Sequence, residues 1–421
     1  MHHGHSPIVL PSPMPLPLPT LGHLAVEATR LVHERRGIGR YVRSMLPEFA
    51  VQRPALRFTL FVAHRRDIAA LREELSRLHP SLNTRTWIET VDRLPHTDAG
   101  VAWYPWNFIS PPAHSATCIA TVHDIAPMLQ LDHRWWKVLK RAKYRARYGR
   151  TLDRAHGVLA ISHFTREELL DKTDADPTRI TVTPLAADDL PIDVADDVTP
   201  LEDARVSGPF FLTVGGQDGR KNLTTVYAAM DALWARGVRV PLVQCGPSLA
   251  RETRDRIGRA PWLRHVGFVN DAQLVTLYRR CSALVYPSRY EGFGLPVLEA
   301  MRMGAPVICS SESSLPEVAG AAAQYVRWDD AEEMSRTMER MASEPALRAA
   351  LGAAGRQRAA LFSWRSTAAQ TLMVFEATTG ARRVVDEPLA TPRVVPVGSP
   401  EPLTAPAVIR AATGLHGAHD A

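Results

Sequence analysis

Short apolar runs alternate with amphipathic helical stretches through the first half of the chain. The apolar runs predict six strands, at Leu24–Glu27, Arg57–Val62, Ala102–Tyr104, Cys118–Val122, Gly157–Ile161 and Ile180–Thr183. The helical spacing between them predicts helices such as Tyr41–Phe49 and Asp67–Leu78. Thr165 and Glu168 stand three apart at the start of another helical stretch, which predicts a capping box there. Strands that alternate with helices are typical of α/β units with parallel sheets.

The same pattern restarts after residue 209. It predicts strands at Phe210–Val214, Pro241–Cys245, His265–Val266, Ala283–Tyr286 and Pro306–Cys309, and helices at Asn222–Arg236, Gln273–Arg280 and Pro296–Met303. Two successive α/β halves of roughly 180 residues each predict two facing Rossmann-like domains. Domains of this kind bind ligands at the carboxyl ends of their strands, so we expect the site in the cleft between the halves.

Prolines are concentrated at the two ends of the chain. Of the 33 prolines, six lie in residues 1–20 and six in residues 381–421. This density predicts extended, disordered Pro-rich tails outside the folded body. The acidic stretch that ends in Ser207-Gly208-Pro209 has little apolar pattern, and we assign residues 191–208 to an interdomain linker.

The composition excludes several classes of protein. No apolar run reaches the roughly 18–20 residues that a membrane span needs. The N-terminal stretch has no lysine or arginine and its apolar residues alternate with proline, which argues against a secretory signal. The four cysteines are widely spaced and form no CxxC pair, which argues against a zinc site or a disulfide framework. These features predict a cytoplasmic protein.

The positive charge of the chain is local. The net charge is +6, and the segment from His133 to Arg150 contains no acidic residue. Its eight cations are Arg134, Lys137, Lys140, Arg141, Lys143, Arg145, Arg147 and Arg150. Without them the net charge would be −2, so the high isoelectric point reflects one patch and not a general polyanion-binding surface.

In each half of the chain, a glycine-rich loop follows the first strand. Gly37 and Gly39 stand between the first strand and its helix, where backbone N–H groups can approach an anion, although a plain turn is the alternative. In the second half, Gly215-Gly216-Gln217-Asp218-Gly219 leads into Arg220-Lys221 at a helix start. Cations there oppose the helix dipole, and an anionic ligand would remove that conflict. This loop is therefore a candidate diphosphate site, with a solvated Arg-Lys pair as the alternative.

The most informative stretch runs from Tyr286 to Glu299, YPSRYEGFGLPVLE. Glu291 and Glu299 stand eight apart, separated by a Gly-Phe-Gly loop and by a helix predicted to begin at Pro296. Glu299 then falls in the first turn of that helix, and both carboxylates can face one cleft at different depths. Carboxylates are good acceptors for sugar hydroxyls. The alternative is two unrelated acids, one of them stabilised by the helix N-terminus.

The order of these motifs closely resembles the retaining glycosyltransferases of family 4, the mannosyltransferase-like group 1 enzymes with the GT-B fold. The resemblance covers about residues 22–380. It also rests on RRGIGRYV (Arg35–Val42), TVHDIAP (Thr121–Pro127), AISHFTREEL (Ala160–Leu169), VGFV (Val266–Val269), SSLPEVAG (Ser313–Gly320) and FSWRSTA (Phe362–Ala368). The EGFGLPVLEA block is the most specific of them, and its occurrence together with the HD and RKN blocks makes a chance match improbable.

The resemblance implies an α/β fold of two facing Rossmann-like domains with a deep cleft between them. Residues 21–190 would form the acceptor domain and residues 209–362 the nucleotide-sugar donor domain. Residues 363–380 would form a crossover helix that packs back on the first domain. The chain departs from the family in details: Gly216 stands where some branches carry an arginine, and Glu27 ends the first strand where many relatives have Asp.

The resemblance also implies roles for individual residues. Arg220 and Lys221 would hold the donor diphosphate, Glu299 the ribose, and Glu291 the transferred sugar. The predicted donor-binding residues are Gly37, Gly39, Gly216, Arg220, Lys221, Val269, Glu291, Gly292, Phe293, Gly294, Leu295 and Glu299. The predicted catalytic residues are His123, Arg220, Lys221 and Glu291. Val269 would lie against the nucleobase, and His123 would lie beside the sugar, with a structural histidine bonded to Asp124 as the alternative.

The function implied is a metal-independent, retaining hexosyltransferase that uses a GDP- or UDP-sugar as co-substrate and has no cofactor. The leaving phosphate would help to deprotonate the acceptor, so no pair of hydrolase-type carboxylates is needed. Mannose from GDP-mannose is the first expectation, for transfer to a glycan, lipid-linked or small-molecule hydroxyl in cell-surface polysaccharide or glycolipid assembly. The alternatives are a UDP-sugar donor, another activity on the same fold, or a non-catalytic nucleotide-sugar or membrane-surface binding protein.

Three interpretations compete for the basic segment 133–150, which also holds four aromatic residues. It could be a solvated helix whose aromatic residues pack in the core. It could bind an anionic membrane surface and so bring the protein, as a peripheral protein of the inner face of the cytoplasmic membrane, to a lipid-linked acceptor. Nucleic-acid binding is the third interpretation, and we do not expect it, because no other nucleic-acid motif accompanies the segment.

Overall fold

The structure, a computed structural model, describes residues 21–34, 37–129, 137–216, 219–247 and 260–383. The predicted tail 1–20 and the tail from residue 384 onward lie outside the described residues. So do Gln217 and Asp218 of the second glycine-rich loop, and Trp135 and Trp136 of the basic segment.

Seven parallel strands form the first sheet, in the order β3-β2-β1-β4-β5-β6-β7. Their bounds are β1 His23–Glu27, β2 Arg57–Val62, β3 Thr86–Thr90, β4 Val101–Tyr104, β5 Thr117–Val122, β6 Gly157–Ala160 and β7 Ile180–Val182. Every residue of β4, β5 and β6 is buried, as expected for parallel strands covered by helices on both faces. The chain order reverses at β1, which lies between β2 and β4.

Seven helices accompany the first sheet and the linker in the described part of the chain. They are α1 Ile38–Gln52, α2 Asp67–Leu78, α3 Pro80–Arg85, α4 Ala126–Leu129, α5 Lys137–Arg154, α6 His163–Lys172 and α7 Thr199–Asp203. The short helix α7 lies inside the segment predicted as a linker. One face of α1 is buried through Tyr41, Val42, Met45, Leu46 and Phe49, whose spacing places them on one side of the helix.

Six parallel strands form the second sheet, in the order β10-β9-β8-β11-β12-β13. They are β8 Phe211–Val214, β9 Leu242–Cys245, β10 Leu263–Gly267, β11 Ala283–Tyr286, β12 Val307–Ser310 and β13 Gln324–Val326. The helices described with them are α8 Leu223–Ala235, α9 Asp271–Arg280, α10 Leu295–Met303, α11 Leu315–Ala319, α12 Ala331–Ser343 and α13 Pro345–Ala359. Here the order reverses at β8, between β9 and β11.

The last described helix, α14, spans Trp364–Arg383 and returns to the first domain. Its Phe375 ring lies 5.8 Å from that of Phe49 on α1. The carboxylate of Glu376 accepts two hydrogen bonds from Arg53, at 2.7 and 2.9 Å. Apolar packing and a bidentate ion pair therefore join α14 to the helix that follows the first strand.

The predicted α/β fold of two Rossmann-like domains with parallel sheets is confirmed. The strands missed by the prediction are Thr86–Thr90 and Gln324–Val326, and each lies at the edge of its sheet. Edge strands are buried on fewer sides; in β3 exposed and half-buried residues follow the buried Thr86, so no apolar run marks it. The capping box predicted at Thr165 and Glu168 is wrong. Helix α6 begins earlier, and Ser162 is the residue whose side chain caps it, accepting from the Thr165 N–H at 2.9 Å.

Candidate active site

Two neighbouring strands of the second sheet deliver the main charged residues to the cleft. Strands β8 and β11 pair in parallel, so their carboxyl ends lie at the same edge of the sheet. The loop after β8 leads through the short helical turn Gly219–Lys221, and the loop after β11 leads to Glu291. Since the strand order reverses beside β8, this edge is the position where such sheets bind ligands.

Lys221 and Glu291 form an ion pair at this position. The Lys221 Nζ donates to Glu291 Oε1 at 2.7 Å and also to the Tyr286 hydroxyl, and it lies 4.6 Å from the centre of the Tyr286 ring. The Tyr286 hydroxyl donates to the same Glu291 oxygen at 3.0 Å. Burial alone would lower the pKa of Lys221, but Tyr286 and Glu291 outweigh it and raise the pKa. The amine is therefore charged at neutral pH.

Arg220 reaches across the cleft to the first domain. Its Nη1 lies 3.6 Å from Asp124 Oδ2. Burial raises the pKa of Asp124, and the neighbouring guanidinium partly offsets that effect. The backbone carbonyl of Arg220 accepts from the Arg289 N–H at 2.7 Å, which ties the second glycine-rich loop to the residues that precede Glu291. Two cations and two carboxylates from both domains thus converge on one place.

His123 follows β5 and is almost fully buried. Its Nε2 lies 2.8 Å from the Pro105 carbonyl, which can only accept, so Nε2 carries the proton. Burial lowers the pKa of His123 to about 4, and the imidazole is therefore neutral at physiological pH. In that tautomer Nδ1 is an acceptor, suited to a hydroxyl group and not to proton donation. The histidine is bonded to Pro105 and not to Asp124, so the structure does not support that alternative.

Glu299 lies deeper, in the second turn of α10. The helix begins at Leu295, so the expectation that Glu299 occupies the first turn is wrong. Both carboxylate oxygens have partners: Arg40 Nη1 donates to Oε1 at 2.8 Å and the Tyr278 hydroxyl donates to Oε2 at 2.8 Å. Burial raises the pKa of Glu299, partly offset by Arg40. The carboxylate is held by protein groups on both sides.

Arg40 connects Glu299 to Asp189, which stands just before the predicted linker. Its Nε donates to Asp189, whose other oxygen accepts from the Trp364 indole N–H at 2.8 Å. Burial alone would lower the pKa of Arg40, but Glu299 and Asp189 outweigh it and raise the pKa. Sequence reasoning missed this residue. The signal was present, because Arg40 is a cation in the first turn of α1, the same conflict with the helix dipole that drew attention to Arg220 and Lys221.

The Gly292–Leu295 loop packs tightly against the first domain. A Cβ on Gly292 would lie 1.8 Å from the His123 carbonyl oxygen, so only glycine fits there. The Phe293 side chain is buried, with its ring 5.9 Å from that of Phe362, and it points into the core. Gly294 has a φ of 102° and stands directly before α10, whose first residue, Leu295, is half-buried.

The remaining predicted site residues differ in burial and in local packing. Gly37 is exposed, with a φ of 56°, at the start of α1. A Cβ on Gly39 would lie 1.6 Å from the Glu34 carbonyl oxygen, and one on Gly216 would lie 2.7 Å from Pro247 Cγ, so local packing already requires both glycines. The Val269 side chain is buried in the core, whereas its neighbour Phe268 is 69% exposed. Phe268, the aromatic residue of the same turn, is a ligand-facing candidate that the motif analysis passed over.

The basic segment is described from Lys137 onward, as helix α5. Its aromatic residues face inward: Tyr148 is fully buried and its hydroxyl donates to the Asp124 carbonyl at 2.6 Å, while Tyr144 is half-buried. Lys140, Arg141, Lys143, Arg145 and Arg150 are exposed, and Leu139 beside them is 75% exposed. Arg147 is half-buried, with its guanidinium 3.8 Å from the centre of the Phe108 ring. Through Tyr148 the helix is fixed directly beside the His123-Asp124 loop. Its basic surface therefore lies next to the His123-Asp124 side of the cleft.

Membrane-spanning helices and metal-binding clusters are both absent from the described residues. None of the helices described there is long and apolar enough to cross a membrane. Across the same ranges, no group of three or more His, Cys, Asp or Glu side chains is arranged to hold a metal ion.

Comparison with known proteins identifies the family. A family model described as glycosyl transferases group 1 matches residues 202–358. The O-antigen chain mannosyltransferase B of Escherichia coli is 31% identical over 272 residues, which cover 61% of this chain and 70% of that protein. The serotype-specific mannosyltransferase WbdA of the same species is 32% identical over 266 residues, but these cover only 32% of its length.

Solved structures share the fold at low sequence identity. Sucrose-phosphate synthase from Thermosynechococcus elongatus superposes with a TM-score of 0.65 at 19% identity, covering 85% of this chain and 99% of that chain. Anabaena HepE, solved in complex with UDP-glucose, gives a TM-score of 0.63 at 15% identity and covers 85% and 100%. The two parallel sheets, the helix that returns to the first domain and the cleft between them are the GT-B architecture. The chain belongs to the group 1 glycosyltransferases, family 4, and is a hexosyltransferase.

Proposed function

We propose that the protein transfers a hexose, mannose from GDP-mannose in the first instance, to a hydroxyl acceptor with retention of configuration. The product would serve cell-surface polysaccharide or glycolipid assembly. The proposal draws on a relative that aligns over 70% of its own length and is named an O-antigen chain mannosyltransferase. A second, shorter match is the MMP alpha-(1->4)-mannosyltransferase of Mycolicibacterium hassiacum, 39% identical over 112 residues.

The observation that carries the proposal is the pair of cations at the strand-order reversal of the second sheet. Lys221 and Arg220 are each paired with a carboxylate, Glu291 and Asp124 respectively. A diphosphate would compete with both carboxylates for the cations. Glu291 would then be free to accept hydrogen bonds from the hydroxyls of the transferred sugar. Cations fixed in advance at the leaving group stabilise the charge that develops there as the glycosidic bond breaks.

His123 fits a role in sugar binding better than a role in proton transfer. Its Nε2 proton is committed to the Pro105 carbonyl, and its lowered pKa keeps the ring neutral. The Nδ1 atom can accept a hydrogen bond from a hydroxyl of the donor sugar, beside the reacting carbon. Because no protein base is required, the leaving phosphate would take the proton of the acceptor hydroxyl. The acceptor oxygen would then bond to the sugar on the face from which the phosphate departs, which gives retention.

A UDP-sugar is the second candidate donor. The Anabaena neighbour was solved with UDP-glucose, and it shares the fold with this chain. The base-side turn offers the exposed Phe268, a surface that a purine or a pyrimidine could stack on. The proposed diphosphate site would bind the diphosphate of a GDP-sugar and of a UDP-sugar in the same way. Experiment must therefore distinguish the two nucleotides.

A donor panel tests the proposal. Purified protein is incubated with GDP-mannose, UDP-glucose, UDP-galactose and UDP-N-acetylglucosamine, and release of the nucleoside diphosphate and the shift in melting temperature are recorded. We expect GDP-mannose to be hydrolysed or transferred and to raise the melting temperature, because a ligand stabilises the state that it binds. Glu291→Gln should abolish turnover, while Glu167→Gln, at an exposed carboxylate, should not. Turnover of a UDP-sugar alone would establish the second donor. Wild-type turnover of no donor would refute the proposed activity.

We also propose that helix α5 binds an anionic membrane surface on the cytoplasmic side, near a lipid-linked acceptor. Exposed cations follow Leu139 along the helix, and each cation near an anionic surface contributes about 1 kcal/mol. Replacing Lys140, Arg141, Lys143 and Arg145 by Gln should reduce sedimentation with phosphatidylglycerol vesicles more than tenfold. The matched control replaces the exposed Arg77, Arg327, Arg336 and Arg340, with the same change in net charge. Equal losses in the two variants, or no binding by the wild type, would contradict the proposal.

A further inference from the structure

The loop that carries Glu291 is held by hydrogen bonds from its own domain. The Glu291 N–H donates to Ser313 Oγ at 2.9 Å, and the Ser314 hydroxyl donates to the Glu291 carbonyl at 2.9 Å. Both serines stand just before helix α11. These bonds fix the backbone of residue 291 relative to the second sheet, but they leave the next peptide to be fixed from elsewhere.

The first domain fixes that next peptide. The Ser162 hydroxyl donates to the Gly292 carbonyl at 2.6 Å, and the Thr165 hydroxyl lies 3.2 Å from the same oxygen. Both hydroxyl-bearing residues are fully buried. Ser162 at the same time accepts from the Thr165 N–H and caps helix α6. One side chain therefore completes a helix of the first domain and holds a loop of the second.

A second contact runs in the opposite direction. Glu317, on helix α11 of the second domain, accepts from the backbone N–H groups of His163 and Phe164 at 2.9 and 3.2 Å. These N–H groups open helix α6 and have no partner within that helix. A carboxylate is favoured at this end of the helix by the dipole as well as by the two hydrogen bonds. Each domain thus supplies a group that satisfies the backbone of the other.

We propose that Ser162, Thr165 and Glu317 form an interdomain clasp that positions Glu291 for the reaction. The clasp consists of the two hydroxyls on the Gly292 carbonyl and the Glu317 carboxylate on the start of α6. These are positioning residues, since they act through the loop and not on the substrate. The inference rests on the proposed function in one respect, that Glu291 binds the transferred sugar.

Separation of the two domains would break both halves of the clasp at once. Ser162 and Glu317 lose their partners in the other domain together, and the Gly292 carbonyl loses the only side-chain hydrogen bonds that it accepts in the described part of the chain. The contact between the two domains at this point is close, because Gly292 lies against the His123 carbonyl, where a Cβ has no room. The Gly292–Leu295 loop and His123 therefore take up their positions beside each other only when the clasp is formed. Closure of the domains and assembly of the sugar site become one event.

Three variants separate the clasp from helix stability. Ser162→Gly removes the hydroxyl, and glycine is a tolerated N-cap that costs the helix only a few tenths of a kcal/mol. Thr165→Val removes the second hydroxyl without a change of shape, and Glu317→Gln keeps one acceptor oxygen but removes the charge. The matched control is Asp330→Gly, which removes the cap of α12, a helix on the second domain away from the clasp.

The measurements are kcat and KM with the donor found in the panel, and small-angle X-ray scattering of the free proteins. We expect Ser162→Gly to lower kcat about tenfold with KM nearly unchanged, and the double variant Ser162→Gly/Glu317→Gln to scatter as a more open particle. Ser162→Thr should recover most of the activity, because it restores the hydroxyl. Asp330→Gly should match the wild type in kcat and in scattering.

The outcomes separate the clasp from the proposed activity. Wild-type kcat in Ser162→Gly and an unchanged scattering profile in the double variant would overturn the clasp. A loss of kcat equal to that of Asp330→Gly would also overturn it, since the effect would then follow helix stability. Wild-type protein that turns over no donor, with a double variant that opens, would refute the proposed activity and leave the clasp supported as an interdomain contact.

Discussion

The two glutamates of the EGFGLPVLE motif have different surroundings, although eight positions separate them. Glu291 belongs to a front pair with Lys221, and both of its polar contacts fall on one oxygen. Glu299 belongs to a rear cluster with Arg40 and Asp189, and both of its oxygens are occupied. The front side chains are 22% and 15% exposed, and Arg40 and Glu299 are 16% and 7% exposed.

This difference indicates a division of labour. A carboxylate with an unused oxygen at the cleft can exchange its partner for a substrate group. A carboxylate enclosed by an arginine, a tyrosine hydroxyl and the packing of two domains holds the structure in place. We therefore expect variants of the front pair to lose activity and variants of the rear cluster to lose stability. A ribose that uses Glu299, as the family resemblance implies, would have to share the carboxylate with Arg40 or displace it.

The largest effect is expected in the rear cluster. Arg40→Met keeps the length of the side chain but leaves two carboxylates without their cation. Removing one partner of a buried ion pair costs about 3 to 5 kcal/mol of the free energy of unfolding, which urea denaturation measures. Adding Glu299→Gln should restore part of the loss, because an unpaired charge is removed. Arg336→Met, which breaks an exposed helical pair, should cost less than about 0.5 kcal/mol. If Arg40→Met is as stable as the wild type, the rear cluster is not structural.

The front pair should show the opposite result. Lys221→Ala removes a cation from the predicted diphosphate site, and we expect kcat to fall about 100- to 1,000-fold, as for the loss of one group that stabilises transition-state charge. The melting temperature should change far less than in Arg40→Met. Lys172→Ala, at an exposed lysine, is the control for the loss of charge and should leave kcat unchanged. Full donor turnover by Lys221→Ala would remove the distinction between the two ends of the motif.

The sequence was informative where an apolar run or a dense motif marked the position. The central strands such as Ala283–Tyr286 were predicted at their observed bounds because both of their faces are buried. The strand Thr86–Thr90 was missed, since the edge of a sheet does not require an apolar run. Likewise Lys221 and Glu291 were both found through local motifs. The rear cluster was not, because Arg40 lies 259 positions from Glu299 and 149 from Asp189, and only the docking of the domains brings them together.

The pH dependence of stability gives a third test, at the front of the cleft. The unfolded chain protonates His123 near pH 6.5, whereas burial lowers the pKa in the folded protein to about 4. Between these values the unfolded state binds more protons, so the contribution of His123 is present above pH 6.5 and is lost as the pH falls towards 4. From pH 7 to pH 5 the loss should be about 2 kcal/mol greater in the wild type than in His123→Asn. Parallel curves for the two proteins would show that His123 is not buried as a neutral ring.

The smallest effect is expected at the contact between α14, the helix that returns to the first domain, and the segment at Pro184. The Thr367 hydroxyl on α14 donates to the Pro184 carbonyl at 2.6 Å, just before the linker, and the side chain is 2% exposed. Thr367→Val preserves the shape but removes this bond, and we expect a loss of about 1 kcal/mol in the free energy of unfolding. Thr84→Val, at an exposed threonine, should have a smaller effect. Because Thr367 is remote from the front pair, kcat should not change. A Thr367→Val protein with wild-type stability and a reduced kcat would reverse the comparison, since the crossing helix would then act on the reaction and not on the structure.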